Sequence, residues 1–437
     1  MPLFHNNGYI VRRVIDDLNY FILLLLAVVL PFGHVGTNVV TAGLIIIWIV
    51  DFDLTKVFGL FKSRLFILFT SIYFLHVAAL AYTENISNGV TIVTKSLSLL
   101  VYPVIILSMP HMSRLSARKI FVTFAISCSI ASIVCLLVAF YKGFYQNVDS
   151  GTSQWKYFTY HDFSSGIGHN ASYFAMYVCF SIFIVYYFLL KQSSSKRQKI
   201  WYLFWISFLI VILALLATRM TMLALFIITT AYFSFEFLVN KSISKRAIWA
   251  GIGVMLVTVT IIFSIPRNRE RLYEAVNFSD SIDLSSENSL GRNWGGRALR
   301  AAIWICSMDV IKEHPIIGVS PGDTQDKLQE SYEKNNFGFA AYYNRYPAHN
   351  QYIQTTLALG LIGLVVLLLN IFYPFYLAIS RRELLYAAFL LLFAICCLTE
   401  SYLTRNKGIV FYSFFNAIFA FHFLEKKKSE PISKPSV

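Results

Sequence analysis

Runs of roughly 20 mostly apolar residues, the length needed to cross about 30 Å of hydrocarbon, recur twelve times along the chain. The pattern predicts an all-α, polytopic membrane protein with about twelve transmembrane helices. The predicted spans cover about 18–33, 36–50, 64–82, 89–109, 119–141, 169–190, 200–217, 220–239, 247–265, 351–372, 383–400 and 407–424.

Composition supports this interpretation and excludes other classes. The 437 residues are 57% hydrophobic and 14% charged, with a mean hydropathy of +0.60, whereas soluble domains carry about 25% charged residues. A formal charge of +14 would suggest nucleic acid in a soluble protein, but here the basic residues lie in short gaps between apolar runs. We therefore predict membrane lipids as partners and no nucleic acid. The six cysteines form no CxxC pair and no Cys/His cluster, so neither a disulfide framework nor a metal site is expected.

Positive charge marks every second gap, which sets the orientation of the helices. By the positive-inside rule both termini are cytoplasmic, and the first run is an uncleaved span. We therefore divide the chain into spans 1–9 (1–265), a large outward loop between the ninth and tenth spans (266–350), spans 10–12 (351–424) and a basic cytoplasmic tail (425–437). The basic residues are Arg12, Arg13, Lys56, Lys62, Arg64, Arg114, Arg118, Lys119, Lys191, Lys196, Arg197, Lys199, Lys241, Lys245, Arg246, Arg381, Arg382, Lys426, Lys427 and Lys428.

The long outward loop is predicted to be a folded cap. It contains Trp294, Trp304 and many tyrosines, and residues 297–313 show helical periodicity with Ile303, Cys306 and Val310 on one face. A polar helix is expected over 323–336, after the Pro-Gly turn.

Arg219 is the first candidate functional residue, because it interrupts two apolar span lengths at a tight outward turn. One interpretation is a snorkelling arginine that reaches the headgroups. The other is a clamp for an anionic headgroup, since guanidinium matches phosphate oxygens and this arginine opposes the positive-inside bias.

Three further arginines, Arg292, Arg297 and Arg300, cluster at the start of the predicted loop helix, with Trp304 one turn after Arg300. Arg297 and Arg300 share a helical face. They form either a solvated basic face or part of an anion site.

His349 lies where the loop re-enters the membrane, followed by Asn350. A histidine at a helix start is commonly structural, but with an ordinary pKa of about 6.5 it can also accept a proton near neutral pH. Arg345 is close by and is either a supporting charge or interface decoration. Lys95 and Glu400, in or beside apolar spans, are weaker candidates, because a charge at such depth needs a partner, an aqueous cavity or a function.

Several of these motifs together resemble the O-antigen ligase superfamily. The resemblance rests on Arg300 and Trp304, the P-x-x-G-x-x-x-G order over 315–322, and His349-Asn350-Gln351-Tyr352 running into 359–363. The Ala217-Thr218-Arg219 turn is similar to the family's Ser-Arg element, with Thr where Ser is common.

This resemblance implies a glycosyltransferase that moves a saccharide from an undecaprenyl-pyrophosphate carrier to lipid A-core, without cofactor or metal. The active site would face the periplasm from the bacterial inner membrane. Carried onto this chain, the family pattern makes His349 the base and Arg219 and Arg300 the pyrophosphate ligands. In-line attack on the face opposite the leaving group would then invert the anomeric carbon. Arg297 and Arg292 are alternatives for the loop arginine. The absence of a GxxxxGK[ST] loop agrees with a donor that carries its own activation.

Other functions remain open on the sequence. A repeat-unit polymerase uses the same carrier with another carrier-linked saccharide as acceptor, and exopolysaccharide or protein O-glycan transferases are further variants. A lipid-linked saccharide transporter belongs to a different class and would need polar residues along a route through the bilayer.

Overall fold

The computed structural model describes residues 3–109, 114–146, 154–191, 195–240, 284 and 296–429, and every element within them is helical. The all-α prediction is confirmed for this part of the chain. Its α-helices are α1 Leu3–Val29, α2 His34–Val50, α3 Leu54–Leu60, α4 Arg64–Ala79, α5 Ile86–Ser96, α6 Ser98–Ser108, α7 Arg114–Tyr141, α8 Tyr160–Ser164, α9 Ala171–Lys191, α10 Lys196–Leu215, α11 Arg219–Asn240, α12 Gly296–Glu313, α13 Thr324–Lys334, α14 Gln351–Ser380, α15 Leu384–Cys396 and α16 Asn406–Ser429.

The number of membrane spans differs from the prediction. Seven described segments are long and apolar enough to cross a membrane, and an eighth is formed if α2 and α3, bent by 115°, make one span. Helices also occupy the predicted eighth, eleventh and twelfth spans, but α11 and α15 contribute only shorter apolar stretches. The count of twelve is therefore not confirmed, and the predicted ninth span at 247–265 lies outside the described residues.

Phenylalanines from four helices form the centre of the bundle. Phe180 of α9 lies 5.0 Å from Phe415 of α16 and 5.1 Å from Phe389 of α15, measured between ring centroids, and Phe124 of α7 lies 4.9 Å from Phe415. All four rings are buried. All three contacts are edge-to-face, an arrangement that aromatic pairs prefer and that contributes about 0.5–1.5 kcal/mol beyond area burial.

The cap has a small hydrophobic core of its own. Ile303, Cys306 and Val310 of α12 are buried, as their spacing predicts, and they pack with Leu328 and Tyr332 of α13. Within the predicted loop of 266–350, α12 and α13 lie within a few residues of the helices expected at 297–313 and 323–336.

The cap is joined to the bundle where α14 breaks. Gly360 has φ 63° and ψ −160° inside the helix, so the amides that follow lose their helical partners. Leu361 and Ile362 donate instead to the carbonyls of Pro315 and Ile316, at 2.8 and 3.3 Å. A Cβ at Gly360 would overlap the Ile316 carbonyl. The P-x-x-G segment and this glycine therefore form one junction that requires the absence of a side chain.

A buried carboxylate makes a second junction between cap and bundle. Asp323, 4% exposed, accepts from the amides of Glu84 and Asn85 at 2.9 and 2.7 Å and from the Thr83 hydroxyl at 3.1 Å. These residues precede α5. Because a buried carboxylate must be satisfied by donors, Asp323 fixes the start of α13 against the bundle.

Candidate functional site

His349 lies at the start of α14 in a backbone conformation that is uncommon for a residue with a side chain. Its φ is +46°. The preceding residue, Ala348, is held on both sides: its carbonyl accepts from Trp304 Nε1 at 2.9 Å, and its amide donates to Gln354 Oε1 at 3.0 Å. These bonds from α12 and α14 keep the chain in a conformation that costs about 1–2 kcal/mol for an L-residue.

The two residues after His349 continue this anchoring. Asn350 is the N-cap of α14, where its Oδ1 accepts from the amides of Tyr352 and Ile353 at 2.9 and 3.1 Å. Gln351 is buried; its amide donates to the Cys397 carbonyl at 2.8 Å and its Oε1 accepts from the Leu403 amide at 2.7 Å. Asn350 therefore has a structural role, and Gln351 brings the end of α15 beside His349.

Glu400 meets His349 at this point. The distance from His349 Nδ1 to Glu400 Oε1 is 3.3 Å, and the same oxygen accepts from the Ser401 amide at 3.3 Å. The side chains of His349 and Glu400 are 23% and 11% exposed. Glu400 lies four residues beyond the end of α15, so the pair sits at the end of the bundle, under the cap.

The electrostatics of Glu400 favour its charged form. Burial raises the pKa of the Glu400 carboxyl, but the hydrogen bond and charge of His349, the charge of Arg300 and the Ser401 amide together lower that pKa below its ordinary value. A carboxylate at this position accepts the Nδ1 proton of His349. In neutral His349 this leaves Nε2 as the unprotonated nitrogen, and no residue in the described part of the chain hydrogen-bonds to Nε2.

Arg300 is another predicted site residue that lies near Glu400, close enough for its charge to act on the carboxylate. It lies in α12, one turn before Trp304, and it is half-buried. Its Nη1 donates to the Gly296 carbonyl at 3.3 Å, while its Nε is buried without a hydrogen-bond partner. A guanidinium that acts on Glu400 and still has unused donors can bind another anion.

Arg219 lies at the same end of the bundle. It begins α11, and Cys179 of α9 donates its thiol proton to the Thr221 carbonyl at 3.7 Å. Nearer the start of α9, the ring of Tyr173 is 4.7 Å from that of Tyr402 in the turn after Glu400. Arg219 therefore lies at the same end of the bundle as the hydrogen-bonded pair His349 and Glu400 and as Arg300, whose charge acts on Glu400.

The other predicted site residues lie in less specific surroundings. Arg345 is exposed and pairs with Asp326 at 2.8 Å. Arg297 is exposed in the first turn of α12, and Lys95 is exposed in the last turn of α5. Arg292 lies outside the described residues.

Two residues hold the site together through contacts that the sequence does not reveal. The sequence shows only that Trp304 lies one helical turn after Arg300. In the structure its indole N–H donates a hydrogen bond to the backbone carbonyl that precedes His349. Gln351 is polar at a helix start, which is ordinary. Its burial and its contacts with Cys397 and Leu403 depend on tertiary packing.

The arrangement combines a histidine oriented by a carboxylate with an arginine that has spare donors. A histidine oriented in this way can accept a proton from a hydroxyl. An arginine can bind phosphate through its forked donors. The site is thus suited to the transfer of a group from a phosphate leaving group to a hydroxyl.

Two comparisons with known proteins place this site in context, and the first agrees with this chemistry. A family model described as "O-Antigen ligase" matches residues 202–368, a region that contains Arg219, Arg300 and His349. An "Uncharacterized protein" of Haemophilus influenzae (strain ATCC 51907 / DSM 11121 / KW20 / Rd) is 26% identical over 199 residues, which are 42% of this chain. The match spans about half of that relative, 47% of its length.

Proposed function

We propose that this chain, whose residues 202–368 match a family model described as "O-Antigen ligase", transfers a saccharide from undecaprenyl pyrophosphate to a sugar hydroxyl of lipid A-core. The reaction would take place at the periplasmic face of the bacterial inner membrane. The observation that carries the proposal is the contact of His349 with Glu400, with the charge of Arg300 acting on the same carboxylate.

In the proposed reaction, the acceptor hydroxyl oxygen attacks the anomeric carbon and forms the new glycosidic bond. The bond from that carbon to the pyrophosphate oxygen breaks, and its electron pair leaves with the pyrophosphate. The hydroxyl proton passes to His349 Nε2, and Glu400 stabilises the resulting imidazolium through Nδ1–H. Attack from the face opposite the leaving group inverts the anomeric centre.

Arg300 and Arg219 have the second role in the proposal. As the bond to the anomeric carbon breaks, negative charge builds on the pyrophosphate, and fixed cationic donors stabilise that charge most when water is excluded. The unused Nε of Arg300 supports this assignment. For Arg219 the support is its position at the same end of the bundle. Glu400 acts as a positioning residue, because it reaches the substrate only through His349.

A polymerase would use the same residues with a second carrier-linked saccharide as acceptor, so the experiment must separate the products. The gene is deleted in its own strain and complemented with wild type or with His349→Ala, Arg300→Ala or Arg345→Ala. Gels then separate polysaccharide linked to lipid A-core from polysaccharide linked to the carrier. Arg345→Ala is the matched control, since it removes an exposed arginine that forms an ion pair elsewhere in the cap.

We expect full-length chains to accumulate on the carrier in the deletion strain and in the His349 and Arg300 variants, and Arg345→Ala to restore the wild-type pattern. Single repeats that still reach lipid A-core would instead indicate a polymerase. Unchanged pools in the deletion strain would reject both reactions and favour transport or protein glycosylation. Full transfer by a stably expressed His349→Ala protein would reject His349 as the base.

A further inference from the structure

A group of basic and amide side chains lies beside the candidate site, where α16 begins. The start of α2, the loop before α9 and the turn before α16 contribute to it. Asn406 Nδ2 donates to Asn38 Oδ1 at 3.1 Å, and Lys407 Nζ donates to the Gly168 carbonyl at 2.6 Å. We call this group the basic cluster; its members are His34, Asn38, His169, Arg405, Asn406 and Lys407.

His169 is the buried member of the basic cluster. It is 4% exposed, and neither ring nitrogen has a hydrogen-bond partner, although the ring faces the Leu30 carbonyl. The charges of Lys407 and His34 act on this ring. Buried polar atoms are normally satisfied by protein or water. Only one ring nitrogen of His169 can face the Leu30 carbonyl, so the other indicates a place for a polar ligand.

The cluster carries positive charge that the described residues do not balance. In the described ranges no carboxylate lies within 4.0 Å of Lys407 or Arg405, and the charge of Arg405 acts on Lys407. An ammonium has three donors, and Lys407 uses one of them on Gly168. The start of α16 adds the partial positive charge of a helix N-terminus. An anion would balance this charge and use the remaining donors.

Asn406 indicates that the ligand carries a hydrogen-bond donor as well as negative charge. Its Oδ1 is buried and has no hydrogen-bond partner. This atom is an acceptor, so it requires a donor. A bare phosphate dianion offers acceptors only, whereas a phosphorylated sugar offers phosphate oxygens to Lys407 and Arg405 and hydroxyl donors to Asn406.

The cluster is close enough to the candidate site for one saccharide to reach both. Arg405 follows Glu400 by five residues, so their α-carbons are at most about 18 Å apart. Tyr173 lies between them: its hydroxyl donates to the Ser401 carbonyl at 3.3 Å, and the charges of both Glu400 and Arg405 act on it.

We propose that the basic cluster binds a phosphate group carried by the acceptor saccharide, near the sugar whose hydroxyl is glycosylated. This inference rests on the proposed function, because it requires a saccharide acceptor. It assigns to His34, Asn38, His169, Arg405, Asn406 and Lys407 a role in acceptor recognition, separate from His349 and Arg300.

Phosphate binding is tested first, without any transfer reaction. The full-length protein is purified in detergent, and its Tm is measured with inorganic phosphate against chloride at equal ionic strength. We expect phosphate to raise the Tm of wild type, of Arg300→Gln and of Arg345→Gln, and to raise the Tm of Arg405→Gln or Lys407→Met by a smaller amount, since only the pyrophosphate ligands Arg300 and Arg219 remain in those two variants. Arg405 is exposed, so Arg405→Gln should fold even if Lys407→Met, which loses the hydrogen bond to Gly168, does not. A phosphate effect that disappears in Arg300→Gln and persists in both cluster variants would overturn the proposal.

The second measurement identifies the source of the phosphate. In phosphatidylcholine nanodiscs, phosphatase treatment of the acceptor should raise the wild-type KM about tenfold, the effect of losing one charged hydrogen bond, and leave kcat unchanged. Arg405→Gln should show the raised KM with either acceptor. An effect that depends on added phosphatidylglycerol and not on acceptor phosphate would assign the site to a lipid headgroup and reject the acceptor. If wild type gives no transfer, the proposed function fails, whereas the Tm result still reports on phosphate binding.

Discussion

Trp304→Phe tests whether the hydrogen bond behind His349 controls catalysis. The substitution keeps an aromatic ring in the cap core and removes only the Nε1–H that donates to the Ala348 carbonyl at 2.9 Å. Ala348 is fully buried, so its carbonyl would lose its partner at a cost of about 1–3 kcal/mol. The backbone at His349 is then held less firmly at its unfavourable φ of +46°.

If that free energy is lost from the productive conformation, kcat should fall roughly 5- to 150-fold, since 1.36 kcal/mol is tenfold in rate. The KM for the donor should change little, because the hydrogen bond that is removed holds the backbone before His349 and not a residue assigned to the pyrophosphate. The assay follows transfer from carrier-linked donor by the purified protein. Trp48→Phe is the matched control: its Nε1 donates to Ser108 Oγ at 2.9 Å, at the other end of the bundle. Wild-type kcat for Trp304→Phe, with a loss of Tm equal to that of the control, would refute the reasoning.

Four further predictions follow from the same contacts. Glu400→Gln should lower kcat by about 10²–10⁴-fold with little change in donor KM, because the base is oriented wrongly; wild-type kcat would exclude a positioning role. The fold lowers the pKa of Glu400 below its ordinary value of 4.5. The charged carboxylate therefore stabilises the protein above pH 4.5, and this stabilisation is lost as the pH falls through the pKa of the folded state. The Tm should accordingly decrease on acidification in this range, and it should decrease less in Glu400→Gln than in wild type. Gly360→Ala should destabilise the protein by about 1–3 kcal/mol or more and expose the cap to protease, whereas an unchanged digestion pattern would show that the α14 break tolerates a side chain. Asp323→Asn should weaken the docking of the cap and thereby increase the rate at which protease cleaves it. Arg345→Ala is the control: it should leave the rate of cleavage unchanged and lower the free energy of unfolding by no more than about 1 kcal/mol, the contribution of an exposed ion pair.

The membrane helices were largely predictable because hydrophobic length is a local property. Runs such as 64–82 and 169–190 correspond to described spans to within a few residues. The count was less accurate, because length and composition cannot distinguish one bent span from two short ones. Residues 36–60 illustrate this, since α2 and α3 meet at 115°.

For the candidate site, the sequence singled out individual residues but not the geometry that joins them. His349 and Arg300 stood out by residue type and by their resemblance to a family pattern. Glu400 is 51 residues from His349 in sequence, so only its presence near an apolar span drew attention to it. Its role as the partner of His349 depends on the Gln351 contacts that bring the end of α15 to the start of α14.

The sequence by itself determined the helical class, the two helices near 297–313 and 323–336 and the residue types available for chemistry, because hydrophobic periodicity and helix-ending residues act over short distances. Only the tertiary structure decided which polar groups meet. The break at Gly360 admits the cap segment, Trp304 fixes the turn before His349, and the turn after α15 carries Glu400 to it. These contacts join residues far apart in the chain, and their geometry is set by packing.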